Sequence, residues 1–280
     1  MYLVQISDLK VKRVLVKLIL ILLIIYISIC VLLFIIQEHL LFFPDKMNKD
    51  AAFKFDQKFE ELYITTKDGV RLNGVLFKSN KPEGIIFYLH GNGGSVESWG
   101  EIATKYTSQH FDCFILDYRG YGKSEGKITS ERQLHEDVQF VFDEIKARHQ
   151  YNKIIVLGYS LGTALAAKLA SVNDVDMLIL QAPYFSMTDV MNDHYHIIPP
   201  FILRYKLETF RYIKNCRMPV AIFHGTSDKL INYHSSVRLK ELLKPSDTLI
   251  LLKGQGHNEM TYNKEYIDAL NKILETLHSD

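Results

Sequence analysis

The chain is poor in cysteine, and the three cysteines form no disulfide pattern. Cys30 lies in a long apolar run, whereas Cys113 and Cys216 lie inside and just before β-branched apolar segments. Because their spacing matches no disulfide pattern, Cys113 and Cys216 are predicted to be buried thiols. The sequence also lacks internal repeats and low-complexity segments, and its 280 residues and 48% hydrophobic content are enough for one large core.

The chain also lacks an excess of either charge. Its formal net charge is +1, and no basic tract with interleaved aromatic residues follows residue 50. We therefore predict no nucleic-acid partner. His194 and His196 form a His-x-His pair without a third ligand. We accordingly predict a solvated loop there, with no metal and no cofactor.

One long apolar run is present near the N-terminus, at residues 18–36. As a helix it would be about 28 Å long, close to the hydrocarbon thickness of a bilayer. It is longer than the apolar core of a signal peptide, and no small-x-small cleavage site follows it. We therefore predict an uncleaved single-pass anchor, and the bilayer is the predicted membrane partner of the chain.

The charges that flank this run predict its orientation. Lys10, Lys12, Arg13 and Lys17 precede it against Asp8 alone, whereas the charges after it nearly cancel. The positive-inside rule then predicts a cytoplasmic tail at residues 1–17 and a catalytic domain on the extracytoplasmic side. The predicted division is a tail (1–17), an anchor (18–36), a juxtamembrane segment (37–57) and one domain (58–280).

Strand and helix signals alternate through this domain. Eight strands are predicted at 60–66, 71–77, 84–90, 111–117, 153–159, 177–181, 219–224 and 248–252. Helices are predicted at 96–108, 130–148, 161–171, 234–243 and 259–277, with an irregular insertion at about 183–218. This order predicts an α/β fold with an open, mostly parallel sheet and helices on both faces. Ligands of such sheets bind beyond the carboxyl ends of the strands.

The most informative motif is GYSLG at residues 158–162. An apolar strand precedes it and a run of strong helix formers follows it, which is the nucleophile-elbow arrangement. The glycines Gly158 and Gly162 keep the sharp turn free of side chains that would collide with the strand and the helix. Ser160 is therefore the predicted nucleophile.

A serine hydroxyl needs a base to take its proton, and the base needs an acid that orients it. His257 follows the last predicted strand, and Asp228 follows the strand before it, both at the edge of the sheet that carries Ser160. We predict that His257 is the base and Asp228 its acidic partner. Asp189, which follows an earlier strand, is the alternative acid.

The loop HGNGG at residues 90–94 follows the third predicted strand. Two backbone N–H groups, those of Asn92 and Leu161, are predicted to form an oxyanion hole. His90 and Gly91 are predicted to support this loop. Asp117 and Arg119, further along the chain, are expected to form an ion pair.

Taken together, these motifs resemble the α/β-hydrolase superfamily and, within it, the membrane-anchored α/β-hydrolase-domain proteins. The resemblance covers nearly the whole chain. It rests on LFFP (41–44), TKDGVRL (66–72), HGNGG (90–94), DYRGYGKS (117–124), GYSLG (158–162), HGTSD (224–228) and GH (256–257). It implies a serine hydrolase that acts on acyl esters, thioesters or peptides.

The insertion at 183–218 lies where hydrolases of this fold carry a lid, and it is rich in apolar residues. An apolar rim of this kind suits an acyl chain, so the predicted function is an esterase, lipase or thioesterase that acts on a small-molecule or lipid acyl ester through an acyl-enzyme. A serine peptidase or aminopeptidase with the same triad is the nearest alternative. An acyltransferase or a non-catalytic interaction module of the same fold stays open.

Overall fold

The computed structural model describes residues 2–278, with the side chains of residues 12–277. Lys10, one of the residues behind the predicted orientation, therefore lies outside the described side chains. A single helix, α1 (Tyr2–Leu41), covers the predicted anchor and extends beyond it on both sides. Its portion Lys12–Leu41 is long and apolar enough to cross a membrane, by length and composition.

Ten strands form two sheets in the described part of the chain. An eight-stranded sheet contains all the predicted strands, each end within one residue of its predicted position. The strands are β1 Phe43–Pro44, β2 Phe59–Thr65, β3 Arg71–Phe77, β4 Gly84–Leu89, β5 Gly93–Gly94, β6 Phe111–Leu116, β7 Ile154–Tyr159, β8 Met177–Gln181, β9 Val220–Gly225 and β10 Thr248–Leu252.

The spatial order of the large sheet is β10-β9-β8-β7-β4-β6-β3-β2. Strand β2 pairs antiparallel with β3, and β3 with β6, whereas all other pairs are parallel. The carboxyl ends of β4, β7, β8, β9 and β10 therefore lie along one edge. Strands β4 and β7 are neighbours, which places the segments that follow them side by side.

Helices cover both faces of this sheet. They are α2 Val96–Trp99, α3 Thr104–Thr107, α4 Glu131–Arg148, α5 Gly162–Val172, α6 Met187–His194, α7 Thr209–Ile213, α8 His234–Lys240 and α9 Lys264–His278. Successive residues of β4 belong to two different core clusters, because side chains of a strand alternate between faces. The chain thus has the predicted α/β architecture.

Three local expectations need correction. The helix predicted at 96–108 is divided by a 3-10 turn, Gly100–Ala103. Glycine favours helix poorly, and a Cβ at Gly100 would lie 2.4 Å from the Phe55 ring, so the position serves packing. The insertion at 183–218 is not irregular, since it contains α6, a 3-10 turn and α7. Finally, residues 43–44, predicted only as part of the juxtamembrane segment, form the short strand β1.

Cys113 and Cys216 are buried, as predicted. Burial raises the pKa of the Cys216 thiol to about 12 and that of Cys113 well above its ordinary value. Both thiols are therefore held in the unreactive protonated form.

Candidate active site

Ser160 lies in the turn between β7 and α5. Its φ is 50°, in the left-handed region that costs free energy for any residue with a side chain. Its backbone N–H donates to the carbonyl of Gln181 at 2.9 Å, which fixes the turn against β8. The serine is 7% exposed. A strained, well-anchored turn therefore presents the hydroxyl at the carboxyl edge of the sheet.

The glycines on either side of Ser160 are required by close packing. A Cβ at Gly158 would lie 2.5 Å from the carbonyl oxygen of Gly162, and a Cβ at Gly162 would lie 2.0 Å from that of Leu89. Both contacts are with backbone, which cannot rotate away. The absence of side chains at these two positions thus lets α5 begin directly against the end of β4.

His257 follows β10 and reaches the serine. The Ser160 hydroxyl donates to His257 Nε2 at 3.0 Å. Tyr159, the residue before the serine, donates its hydroxyl to the carbonyl of His257 and so ties the histidine loop to the elbow. A Cβ at Gly256 would meet no atom within 4 Å, so that side of the loop is open.

Asp228 follows β9 and orients the imidazole. His257 Nδ1 donates to Asp228 Oδ2 at 2.6 Å, while the other carboxylate oxygen accepts the backbone N–H groups of Leu230 and Ile231, both at 2.8 Å. Burial by itself raises the pKa of this carboxyl. Hydrogen bonds from His224, His257 and the backbone outweigh that effect and hold the pKa well below its usual range. Asp228 is therefore an anion, and its imidazole partner carries a proton on Nδ1.

A second histidine, His224, supports Asp228, and the sequence reasoning missed this role. It is fully buried, with Nε2 3.3 Å from Asp228 Oδ2 and 2.9 Å from the carbonyl oxygen of Ile231. Because that carbonyl can only accept, Nε2 carries the proton, and the Ser236 hydroxyl donates to Nδ1 at 2.6 Å. The motif HGTSD contains both residues, and the four-residue spacing was the available signal.

The loop after β4 lies beside the elbow, as the pairing of β4 with β7 requires. Leu161 immediately precedes α5, so its N–H is among the first of the helix, which have no intrahelical acceptor. Asn92 lies in the neighbouring loop, and its side-chain oxygen accepts the backbone N–H of Phe43 at 3.2 Å and the hydroxyl of Tyr121 at 3.0 Å. The Asn92 side chain thus connects this loop to β1, the strand that leaves α1.

The two residues predicted to support the loop lie behind it. His90 is fully buried, and its Nδ1 lies 2.7 Å from the carbonyl oxygen of Gly91. The ring of Trp99 packs over the Gly91 position, where a Cβ would lie 3.1 Å from it, and the Trp99 indole donates to the carbonyl of Gly93 at 2.8 Å. His90 and Trp99 therefore hold the backbone of this loop in place.

The ion pair expected between Asp117 and Arg119 is wrong. Within the described residues, Arg119 pairs with Asp137 and Asp68. The carboxylate of Asp117 accepts the N–H of Val96 at 2.8 Å instead, at the start of α2. The Asp117 carboxylate faces the start of α2, whereas the Arg119 guanidinium reaches Asp137 on α4, so the two side chains are bound by different helices.

The other candidates stay apart from the serine. Asp189, the alternative acid, is held at the start of α6 by the Ser186 hydroxyl and pairs with Arg238 at 3.0 Å. His194 bonds to the carbonyl of Leu230 at 3.0 Å. Among the described residues, no group of three or more possible metal-ligating side chains is present. The structure therefore brings Ser160, His257 and Asp228 together and leaves Asp189 outside.

The chain is similar to a known protein family and to several known proteins. Residues 80–214 match the family Hydrolase_4, described as serine aminopeptidase, S33. That match includes Ser160 and the loop after β4 and ends before Asp228. An uncharacterised protein of Mycobacterium tuberculosis is 26% identical over 247 residues, which are 85% of this chain and 87% of that protein.

Two further relatives carry descriptive names. The lysophosphatidylserine lipase ABHD12 of Rattus norvegicus is 30% identical over 213 residues, which are 68% of this chain and 53% of that protein. An esterase of Pyrococcus furiosus superposes with a TM-score of 0.68 at 18% identity, over 84% of this chain and 98% of its own. The fold is therefore shared with solved esterases, and the sequence relatives include a lipase.

The chain belongs to the α/β-hydrolase superfamily. The predicted superfamily and the predicted fold class are confirmed. The helix Lys12–Leu41 is a candidate membrane span.

Proposed function

We propose that this protein is a membrane-anchored serine hydrolase that cleaves an acyl ester or thioester through an acyl-enzyme. The observation that carries the proposal is the hydrogen-bond chain from Ser160 through His257 to Asp228, with the serine on a strained elbow. The likeness to a lipase and an esterase supports it.

In the proposed mechanism, Ser160 Oγ attacks the acyl carbonyl while His257 Nε2 takes its proton. The Asp228 anion stabilises the imidazolium that forms. The backbone N–H groups of Leu161 and Asn92 bind the oxyanion, and His257 returns the proton to the leaving alcohol or thiol. Water then attacks the acyl-enzyme by the same sequence of proton transfers and releases the acid.

An ester with an apolar acyl group is the substrate class that the lid favours. Apolar side chains such as Ile197 and Phe201 are exposed on the lid, and the segment lies against the candidate membrane span. A serine aminopeptidase is the second candidate, because the family match carries that description. Rates on paired p-nitrophenyl esters and aminoacyl p-nitroanilides discriminate the two, and we expect turnover of the esters only.

Labelling with a fluorophosphonate probe tests the nucleophile. We expect labelling of the wild type and none of Ser160→Ala, because the probe reacts only with an activated serine. The matched control is Ser227→Ala, an exposed serine in the HGTSD loop, which should be labelled like the wild type. Equal labelling of Ser160→Ala would place the nucleophile elsewhere, and an unlabelled wild type would favour a non-catalytic module.

The proposed topology has residues 18–36 in the bilayer, residues 1–17 in the cytoplasm, and the hydrolase domain (58–280, with its lid at 183–218) on the other side. A reporter that is active only outside the cytoplasm, fused after Asp280, should be active. A control fusion at residue 17 should be silent. The reverse pattern would invert the orientation without affecting the proposed chemistry.

A further inference from the structure

The lid lies along the candidate membrane helix α1 and is fixed to it by hydrogen bonds. The Tyr26 hydroxyl donates to the carbonyl of Ile197 at 3.0 Å, and the Gln37 amide donates to the carbonyl of Ile202 at 3.2 Å. The side-chain oxygen of Gln37 accepts the N–H of Arg204 at 2.8 Å. These contacts extend over eleven helical positions, or about 16 Å of α1.

An ion pair joins the lid to the C-terminal end of α1. Arg204 pairs with Glu38 at 2.5 Å, and the Tyr205 hydroxyl donates to Glu38 at 2.9 Å. The polar end of the lid thus meets the first acidic residue after the apolar run. Between Glu38 and Tyr26, the lid lies against the apolar surface of α1.

The length of the apolar run sets the depth of that contact. The twenty residues between Lys17 and Glu38 give about 30 Å of helix, which equals the hydrocarbon thickness of a bilayer. If Tyr26 lay outside the bilayer, the apolar residues 14–25 would give only about 18 Å, even with Lys17 snorkelling. A spanning α1 therefore holds Tyr26, and the lid residues bonded to it, within the hydrocarbon region.

The surface of the lid tip (residues 197–203) suits that depth. Ile197 is 80% exposed and Phe201 is 82% exposed, with no protein cover. Pro199 and Pro200 have no N–H to satisfy, and the N–H of Leu203 donates to the carbonyl of Pro200 at 3.2 Å. In lipid, backbone groups must find partners inside the protein, and the Tyr26 hydroxyl supplies one to the carbonyl of Ile197.

An apolar groove lies between the lid and α1, alongside these hydrogen bonds. Its volume is about 440 Å³, with Leu33 and Leu40 on the helix side and Met191 and Ile198 on the lid side. Phe43 also lines the groove, and the N–H of Phe43 donates to the Asn92 side chain in the loop after β4. The groove thus connects helix surface at bilayer depth with the loop beside Ser160.

We propose that the lid tip is immersed in the bilayer that holds α1, and that the groove takes one acyl chain of the substrate, which enters sideways from the lipid. The second part rests on the proposed ester hydrolase function. A single chain is the occupant because the groove is lined mainly by apolar side chains and measures about 440 Å³, and because its lining residue Phe43 is bonded to the loop proposed to bind the ester oxyanion.

Fluorescence quenching tests the immersion without any catalytic readout. Phe201→Trp is compared with Val172→Trp in full-length chain reconstituted in phosphatidylcholine vesicles that carry brominated acyl chains. Val172 is 58% exposed at the end of α5 remote from Ser160, and the wild type with its single tryptophan gives the baseline. We expect at least half of the added emission of Phe201→Trp to be quenched and that of Val172→Trp to persist. Persistent Phe201→Trp emission would overturn the immersion.

Chain-length selectivity tests the groove. Leu33→Trp should lower the ratio of kcat/KM for a hexadecanoyl over a butanoyl ester at least about tenfold, because each lost methylene contact is worth about 0.8 kcal/mol. Leu22→Trp, which replaces a 65% exposed residue of α1 outside the groove, should keep the wild-type ratio. Ile198→Trp blocks the opposite wall and serves as a second variant if Leu33→Trp does not fold.

The outcomes separate the two proposals. An unchanged ratio in both groove variants, with butanoyl ester still cleaved, would overturn the groove and leave the hydrolase intact. A wild type that cleaves no ester would end the proposed function. A diazirine-bearing fatty acid in the same vesicles then tests the groove by itself: adducts on the groove-lining residues Met191 and Leu203 support it, and their absence refutes it.

Discussion

Replacement of Asp228 by asparagine should lower kcat on an ester about 10⁴-fold, with little change in KM. The backbone N–H groups of Leu230 and Ile231 already face one side-chain oxygen, so the amide NH₂ of the variant must face His257 and His224. A donor there pushes the proton of His257 from Nδ1 to Nε2. The protonated Nε2 can no longer accept the Ser160 proton. Steady-state kinetics on a butanoyl ester measure the effect.

Asp189→Asn is the matched control for this variant. It changes the alternative acid, which pairs with Arg238 and not with His257, so its kcat should equal that of the wild type. A large loss in Asp189→Asn with a small loss in Asp228→Asn would exchange the two assignments.

Asp228→Asn should also change the stability of the fold, and the pH dependence of this effect follows from the lowered pKa of Asp228. A carboxyl whose pKa is depressed on folding stabilises the folded state above its unfolded pKa, and it loses this contribution as the pH falls toward the folded value. The wild type should therefore unfold at a higher temperature than Asp228→Asn near neutral pH. The difference should shrink below about pH 4, the ordinary range of an aspartate. A difference that grows in acid would contradict the charged state assigned to Asp228.

Gly162→Ala should impair both folding and turnover, although it adds a single methyl group. Its Cβ would lie 2.0 Å from the carbonyl oxygen of Leu89 and 2.8 Å from that of His90. Relief requires α5 to move away from β4, at a cost of about 1–3 kcal/mol. The movement displaces Leu161 N–H from the loop of Asn92, and loss of one oxyanion donor lowers kcat about 10²–10³-fold.

Gly256→Ala is the control for this prediction, because a Cβ there meets no atom within 4 Å. Unfolding temperature in detergent and kcat on the same ester are measured for both variants. Equal behaviour of the two alanine variants would mean that the close approach of α5 to β4 does not matter.

Much of the fold was predictable because its signals are local. Each buried strand is a short apolar run bounded by turn residues, so all eight strand positions lie within one residue of prediction. The alternation of strands with helices predicts a mostly parallel sheet, and the strand-turn-helix around GYSLG predicts where Ser160 lies. The short helix α6 was not predicted, although Ser186 is a typical N-cap residue and its side chain accepts the N–H of Asp189.

The partners of individual polar side chains were less predictable. The sequence predicts that Arg119 pairs with Asp117, the nearest acid along the chain, whereas Arg119 reaches Asp68 and Asp137 on other elements. His224 belongs to the HGTSD motif, but its contact with Asp228 depends on how the loop after β9 folds back. Such pairings depend on distances between elements that are far apart in the chain.

By itself, the sequence determined the α/β class, the candidate membrane helix and the positions of the serine, aspartate and histidine, because periodicity, turn residues and motif order are written in neighbouring residues. The roles predicted for those three side chains remain predictions. Only the tertiary structure decided that Ser160, His257 and Asp228 lie within hydrogen-bond distance, that β1 binds the loop of Asn92, and that the lid lies along α1. These features depend on strand order and packing, which bring together residues that no local pattern connects.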